Sequence, residues 1–137
     1  MFKKILVGLD FGDTSDVVFQ KSVTLAQSIG ANLILLGVLI PAEDRSVYEG
    51  RYREYELQEL ARLNHFAQRA QAVGVETEVI QMAGSPGWAI CEQAKTAEVD
   101  LLMVGSHGRM GLSEMLLGSV SNYVMHHADC SVLVVHE

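Results

Sequence analysis

The residues of this chain best suited to chemistry lie near its end. Gly105-Ser106-His107-Gly108-Arg109-Met110-Gly111 leads through a further stretch to Gly118-Ser119-Val120-Ser121. Glycine accepts positive φ and, lacking a Cβ, lets a ligand approach the main chain. Successive N–H groups in such a turn form a nest for an anion. A helix opening near Gly118 adds unpaired amides and the positive end of its dipole. Ser119 and Ser121 can present hydroxyls, and Arg109 is the cation within the loop. The chemistry offered is anion binding, and the phosphates of a nucleotide suit it. The same glycines also serve a chain that merely turns sharply from strand to helix, with Ser106, Ser113 and Arg109 solvated; spacing alone leaves both readings open. No Gly-Lys-Ser/Thr closes the loop, so it is not a Walker A sequence, and the third glycine comes too late for the dinucleotide fingerprint.

The elements that must position this loop alternate. Residues 4–9 form a β-rich run ending at Asp10, and Gly12, Asp13, Thr14 and Ser15 supply loop chemistry with N-cap candidates. Val18, Ser22, Leu25 and Ile29 then recur at helical spacing, and Gly30 stops that helix. Residues 32–40 are apolar without alternation, as in a parallel strand covered on both faces. A polar connection over 41–50 leads to a long helix over 51–73, with Leu57, Leu60, Leu63, Ala67 and Ala70 on one face and Gly74 at its end. Residues 76–82 alternate polar and apolar, which places them towards a sheet edge. Ser85 and Pro86 mark a helix start, with Ile90, Ala94 and Ala97 inward. A strand over 101–104, the glycine loop, a helix over 118–127 and a strand over 131–135 complete the chain. The expected fold is α/β: one domain over 1–137, an open five-stranded parallel sheet with helices on both faces. Ligands of such sheets bind beyond the carboxyl ends of the strands, where strand order reverses.

Composition narrows the function. The 137 residues suffice for a single core. Net charge is −7 with no basic tract, which speaks against nucleic-acid binding and requires any anion to be held by local geometry. The longest apolar run, 33–41, is too short to span a bilayer, and no signal-peptide pattern opens the chain. Cys91 and Cys130 read as reduced, partly buried residues, so the expected location is cytoplasmic.

Gly105 to Gly108, nine residues from Arg109 to Leu117, then Gly118-Ser119 closely resemble the G-2x-G-9x-G(S/T) signature of the universal stress protein family, in the form found in its ATP-binding members. The resemblance extends along the chain: Lys4-Ile5-Leu6-Val7-Gly8-Leu9-Asp10, Leu35-Leu36-Gly37-Val38, Gly84-Ser85-Pro86, Asp100 to Gly105 and Cys130 to Val135 follow the family pattern. It implies a Rossmann-like sheet of the adenine nucleotide alpha hydrolase type. It also implies a nucleotide site. Gly8, Leu9 and Asp10 would lie beside ribose and adenine, and the Val38 backbone would hold the adenine edge. Gly105, Ser106, His107, Gly108, Arg109, Met110 and Gly111 would wrap ribose and phosphates, and Gly118, Ser119, Val120 and Ser121 would complete the phosphate site. Gly8 departs from the proline of many nucleotide-binding members. A homodimer built on the last strand is implied as well, and would cover the edge left by Val132 to Val135 if that strand is outermost.

Other residues are weighed against simpler roles. Asp10 can help hold Mg²⁺ with a triphosphate, whereas Asp13 reads as a cap of the first helix. His107 reads as a loop-holding residue, His65 as a helix-surface one, and His126 and His127 as complements to a helix C-terminus. No histidine pair has metal-ligand spacing. Both cysteines read as structural, and Trp88 as packed on its helix. The expected activity is regulation by ATP occupancy in a stress response. A slow ATPase is the enzymatic alternative, but hydrolysis needs an oriented water and charge stabilisation, and the chain offers no clear base and no P-loop lysine. A site for AMP or a cyclic nucleotide and a nucleotide-free interaction module are the further alternatives.

Overall fold

A computed structural model describes residues 1–10, 14–40, 45–106 and 118–136, with 45–50 by backbone alone. The elements are β1 Lys4–Leu9, α1 Ser15–Ile29, β2 Asn32–Leu39, α2 Arg45–Ala72, β3 Thr77–Ala83, α3 Pro86–Thr96, β4 Leu101–Gly105, α4 Ser119–His127 and β5 Ser131–Val135. The five strands form one sheet in the order β3-β2-β1-β4-β5, and every pairing is parallel. The expected α/β architecture is therefore present.

Strand chemistry matches strand position. All seven residues of β2 after Asn32 are buried, as the unbroken apolar run required. β3, with its alternating sequence, is only partly covered and sits at one edge. β5 forms the other edge. The two sheet faces bury separate clusters. Ile5, Val7, Leu33, Leu35 and Met103 meet α1 and α2 through Val18, Phe19, Leu63 and Phe66. Leu6, Leu36, Leu102 and Val104 meet α3 and α4 through Ala89, Ile90, Ala94 and Val124. On the first face Phe19 and Phe66 stack at 4.3 Å, and the Arg69 guanidinium covers both rings.

Two helix faces differ from the expected ones. In α1, Phe19, Val23 and Ala26 are buried with Val18 and Ser22, while Ile29 is exposed. The apolar stripe is set by what the sheet offers, and the last turn of α1 extends past it. Helix α2 begins at Arg45, six residues before the expected start, so it includes part of the expected 41–50 connection. Leu57 is exposed, and from residue 51 onward burial on α2 starts only at Glu59. None of residues 51–58 of α2 is buried, so this stretch shows no core-facing stripe. Gly30 caps α1 as expected, at φ 73°, with its N–H donated to the Ala26 carbonyl.

Glu59 is a buried carboxylate made possible by a glycine. A Cβ on Gly37 would lie 2.6 Å from Glu59 Oε1 and 2.9 Å from Leu63 Cδ1. Gln81 Nε2 donates to Glu59 Oε1 at 3.1 Å and to the Glu56 carbonyl at 3.0 Å, joining β3 to α2. Among the described residues no helix is long and apolar enough to cross a membrane.

Asp100 fastens the start of the chain. Its carboxylate accepts the N–H groups of Lys3 at 2.9 Å and Lys4 at 3.0 Å, and Lys4 Nζ donates to the Ala97 carbonyl. Desolvation alone would raise the Asp100 carboxyl; the two amides, aided by the amino terminus, outweigh it and hold the group below its usual range. A depressed folded-state pKa contributes stability above the unfolded-state value and loses it as pH falls through the folded one. Asp100→Asn is expected to lower the urea midpoint at pH 7, with the gap to wild type closing below about pH 4. A gap of constant size across that range would contradict the assignment.

Candidate functional site

The site begins where two strands part. The β1–β4 ladder runs from Ile5↔Leu101 to Val7↔Met103, whereas β1 follows β2 on to Leu9↔Gly37. Between β1 and β4 the strand order reverses, and beyond Val7 a crevice opens there. A cavity of about 410 Å³ occupies it. Gly8, Val104 and Ile90 line its inner end. A Cβ on Gly8 would fall 2.9 Å from Ile90 Cδ1 and 3.3 Å from Val104 Cγ1, so glycine lets Ile90 close up against β1.

Three helices open onto this cavity. Thr14 and Ser15 of α1, Ser85 to Gly87 of α3, and Gly118 to Val120 of α4 all line it. Neither Thr14 nor Ser85 bonds its side chain to its own first turn, and the third N-cap, Gly118, has no side chain. The first-turn amides and three positive dipole ends therefore face one space. Asp10 is the one acidic residue among the described lining residues, and no Lys, Arg or His is among them. It accepts a long hydrogen bond, 3.5 Å, from Ser15 Oγ. An anion here would rest on amides and hydroxyls, while Leu36, Val38, Ile40 and Ile90 give the cavity an apolar side.

A buried polar web sets the position of α4. Ser106 N–H donates to the Val135 carbonyl at 2.9 Å, and Gly118 N–H to the Ser106 carbonyl at 2.6 Å. The ends of segment 107–117 are thus joined. Ser121 Oγ lies 3.0 Å from the Gly118 carbonyl and 3.3 Å from that of Ser106, so its proton is directed into this web. Both serines are buried.

Of the expected site residues, Gly8, Leu9, Asp10, Val38, Gly105, Gly118, Ser119, Val120 and Ser121 come together on the cavity wall. Ser106 lies beneath it in the web. His107, Gly108, Arg109, Met110 and Gly111 fall outside the described residues, as does Asp13; the residue at the α1 N-cap is Thr14. Among the lining residues that sequence reading missed are Thr14, Ser15, Ile40, Ser85 to Gly87, Ile90 and Tyr123. Ser85-Pro86 marks a helix start, as expected; that this start faces the crevice depends on α3 crossing back from edge strand β3 over β2 to β1. Trp88 is 52 % exposed and does not line the cavity, which corrects its expected packing.

The remaining candidates keep plain roles. Burial, then neighbouring groups including Cys130, Asp129 and Glu92, pushes the Cys91 thiol up, and burial with Asp100 and Asp129 does the same to Cys130, which disfavours the reactive thiolate. His65 is exposed. His126 and His127 turn Nδ1 to the carbonyls of Asn122 and Tyr123, where only Nδ1–H can donate. Among the described residues no group of three His, Cys, Asp or Glu could hold a metal ion.

Fold and cavity define the class: a doubly wound α/β protein with a ligand-sized crevice at its switch point. The family profile described as universal stress protein family matches residues 1–136, and the chain belongs to that family. Universal stress protein Sll1388 of Synechocystis sp. is 35% identical, over 98% of this chain and 97% of its own. Among solved structures, universal stress protein UspA from Lactobacillus plantarum superposes with a TM-score of 0.83 at 28% identity, covering 98% of this chain and 97% of that one. A universal stress protein in complex with cAMP gives 0.74 at 29% identity, covering 98% and 97%.

The polar web yields a prediction. Ser121→Ala removes a buried donor from two carbonyls at nearly constant volume. Both carbonyls keep a main-chain donor, so the substitution should lower the unfolding free energy by about 0.5–1.5 kcal/mol, read from denaturant titration. An unchanged midpoint would show that the hydroxyl holds nothing in place.

Proposed function

We propose that the cavity is an adenine-nucleotide site and that the protein is a nucleotide-dependent regulator of a stress response, with ATP as its ligand. The observation that carries this reading is the convergence of three helix N-termini on a cavity with one apolar side. Such a space suits a ligand that is a heteroaromatic base at one end and an anion at the other. The related protein held in complex with cAMP supports an adenine ligand. In this reading the base lies near Val38 and Ile40, and Asp10 lies beside the sugar. The phosphates lie at Gly118 to Val120, with residues 105–111 around them.

Mg²⁺ would enter with the triphosphate. A hard cation takes oxygen ligands and is commonly held by one or two carboxylates together with phosphates. Asp10, a carboxylate on the cavity wall, fits that donor set. The signal is occupancy: bound ATP orders the surface around 105–121, and partners read that surface. Hydrolysis is at most very slow, because phosphoryl transfer needs a positioned water and charge stabilisation, and the described lining residues include no Lys, Arg or His. We further propose a cytoplasmic homodimer paired through β5, an outer strand on which Leu133 is 41% exposed.

Mass spectrometry of small molecules released from freshly purified protein should recover ATP. A ligand at a hundred times its Kd stabilises the folded state by about 2.7 kcal/mol. Saturating ATP with Mg²⁺ should therefore raise the unfolding midpoint by roughly 10 °C. Recovery of AMP or a cyclic nucleotide would reassign the ligand. No recovered nucleotide together with no thermal shift at millimolar ATP would remove the reading.

A further inference from the structure

We propose that Tyr123 is a positioning residue of the cavity, and that its contact with Gly87 fixes how closely the first turn of α3 approaches α4. The proposal rests on the nucleotide reading above and assigns the part of the site that sets its phosphate end.

Gly87 is the second residue of α3. A Cβ placed on it would lie 2.8 Å from Tyr123 Cδ1 and 2.9 Å from both Cβ and Cγ of Tyr123. Real side chains do not pack so closely, so α3 meets the tyrosine with its bare backbone. Glycine is an unfavourable helix residue, and here its lack of a side chain is what allows the approach. The tyrosine is also held from its own helix. Its ring stacks on His127 with centroids 4.0 Å apart and planes 18° apart, and His127 Nδ1 donates to the Tyr123 carbonyl at 2.9 Å.

Both partners of the contact line the cavity. Tyr123 lies four residues after Ser119, on the same face of α4. Gly87 lies within the first turn of α3. The contact therefore joins the amide-bearing end of α3 to α4 one turn beyond its own amide-bearing end. A shift of α3 against α4 would move Ser119 and the α4 amides relative to Gly8 and Val38, which are fixed in the sheet. The phosphate end would then lose registry while Val38 and Ile40, in and next to β2, kept their places at the base end. Displacements of this kind, an ångström or less, are enough to degrade a bound geometry.

The test compares adenosine with Mg²⁺-ATP as ligands, by calorimetry, on the full chain. The variants are Tyr123→Phe, Tyr123→Ala and Gly87→Ala. Tyr123→Phe keeps the ring and should bind both ligands as wild type does. Tyr123→Ala and Gly87→Ala should each weaken ATP by about tenfold or more, with adenosine nearly unchanged. Gly87→Ala keeps the test open if Tyr123→Ala does not fold. Equal losses for both ligands, or no loss for either, would overturn the positioning role while leaving the nucleotide site intact. Wild-type protein that binds neither ligand would instead overturn the nucleotide reading, and this proposal with it.

Discussion

The structure turns on the parting of β1 from β4. Parallel strands pair through evenly spaced backbone bonds, and this ladder ends at Val7↔Met103 although both strands continue. Past that point each strand keeps only its outer neighbour: β1 holds β2 to Leu9, and β4 holds β5 to Gly105. The crevice between them is where α1 and α4 begin and where α3 is carried in from the β3 side. Gly8 belongs to this constraint, since its missing side chain lets Ile90 of α3 fill the inner end of the crevice.

The electrostatics follow from the same geometry. The chain carries a net charge of −7, and the described cavity wall holds one carboxylate and no cation. A global field of this sign repels anions. Attraction must come from amides and helix ends, which act within the first turn and cannot be screened away by distant carboxylates. Such donors work only if their helices are rigidly placed. Two devices place α4: the buried web of Ser106, Gly118 and Ser121, and the contact of Tyr123 with Gly87. The web reaches further. Through the Ser106 amide it is bonded to the carbonyl of Val135, the last residue of edge strand β5. The cavity and the open edge of the sheet are thus one bonded unit.

Much of the fold was legible because its signals are local. The unbroken apolar run of β2, the alternation of β3, Gly30 after α1 and Ser85-Pro86 before α3 each express backbone sterics or two-sided burial within a few residues. Where burial is weak, the signal failed. None of residues 51–58 of α2 is buried, and the helix starts six residues before the position its sequence suggests. The buried stripe of α1 was read one position off, because Phe19 is chosen by Phe66 of α2, a residue 47 positions away.

The glycine-serine spacing, the alternating elements and the acidic balance were determined by the sequence alone, because each depends on residue type and near neighbours. With them came the family and a site at the carboxyl ends of the strands. The tertiary structure decided which residues share the crevice. Ile90, Tyr123 and Gly87 carry no mark of a site in the sequence, and Ser121, read as a ligand donor, turns its proton to two main-chain carbonyls. The reason is physical: proximity between residues far apart in the chain is set by the parting of two strands and the packing of two helices, and neither is encoded in any local stretch.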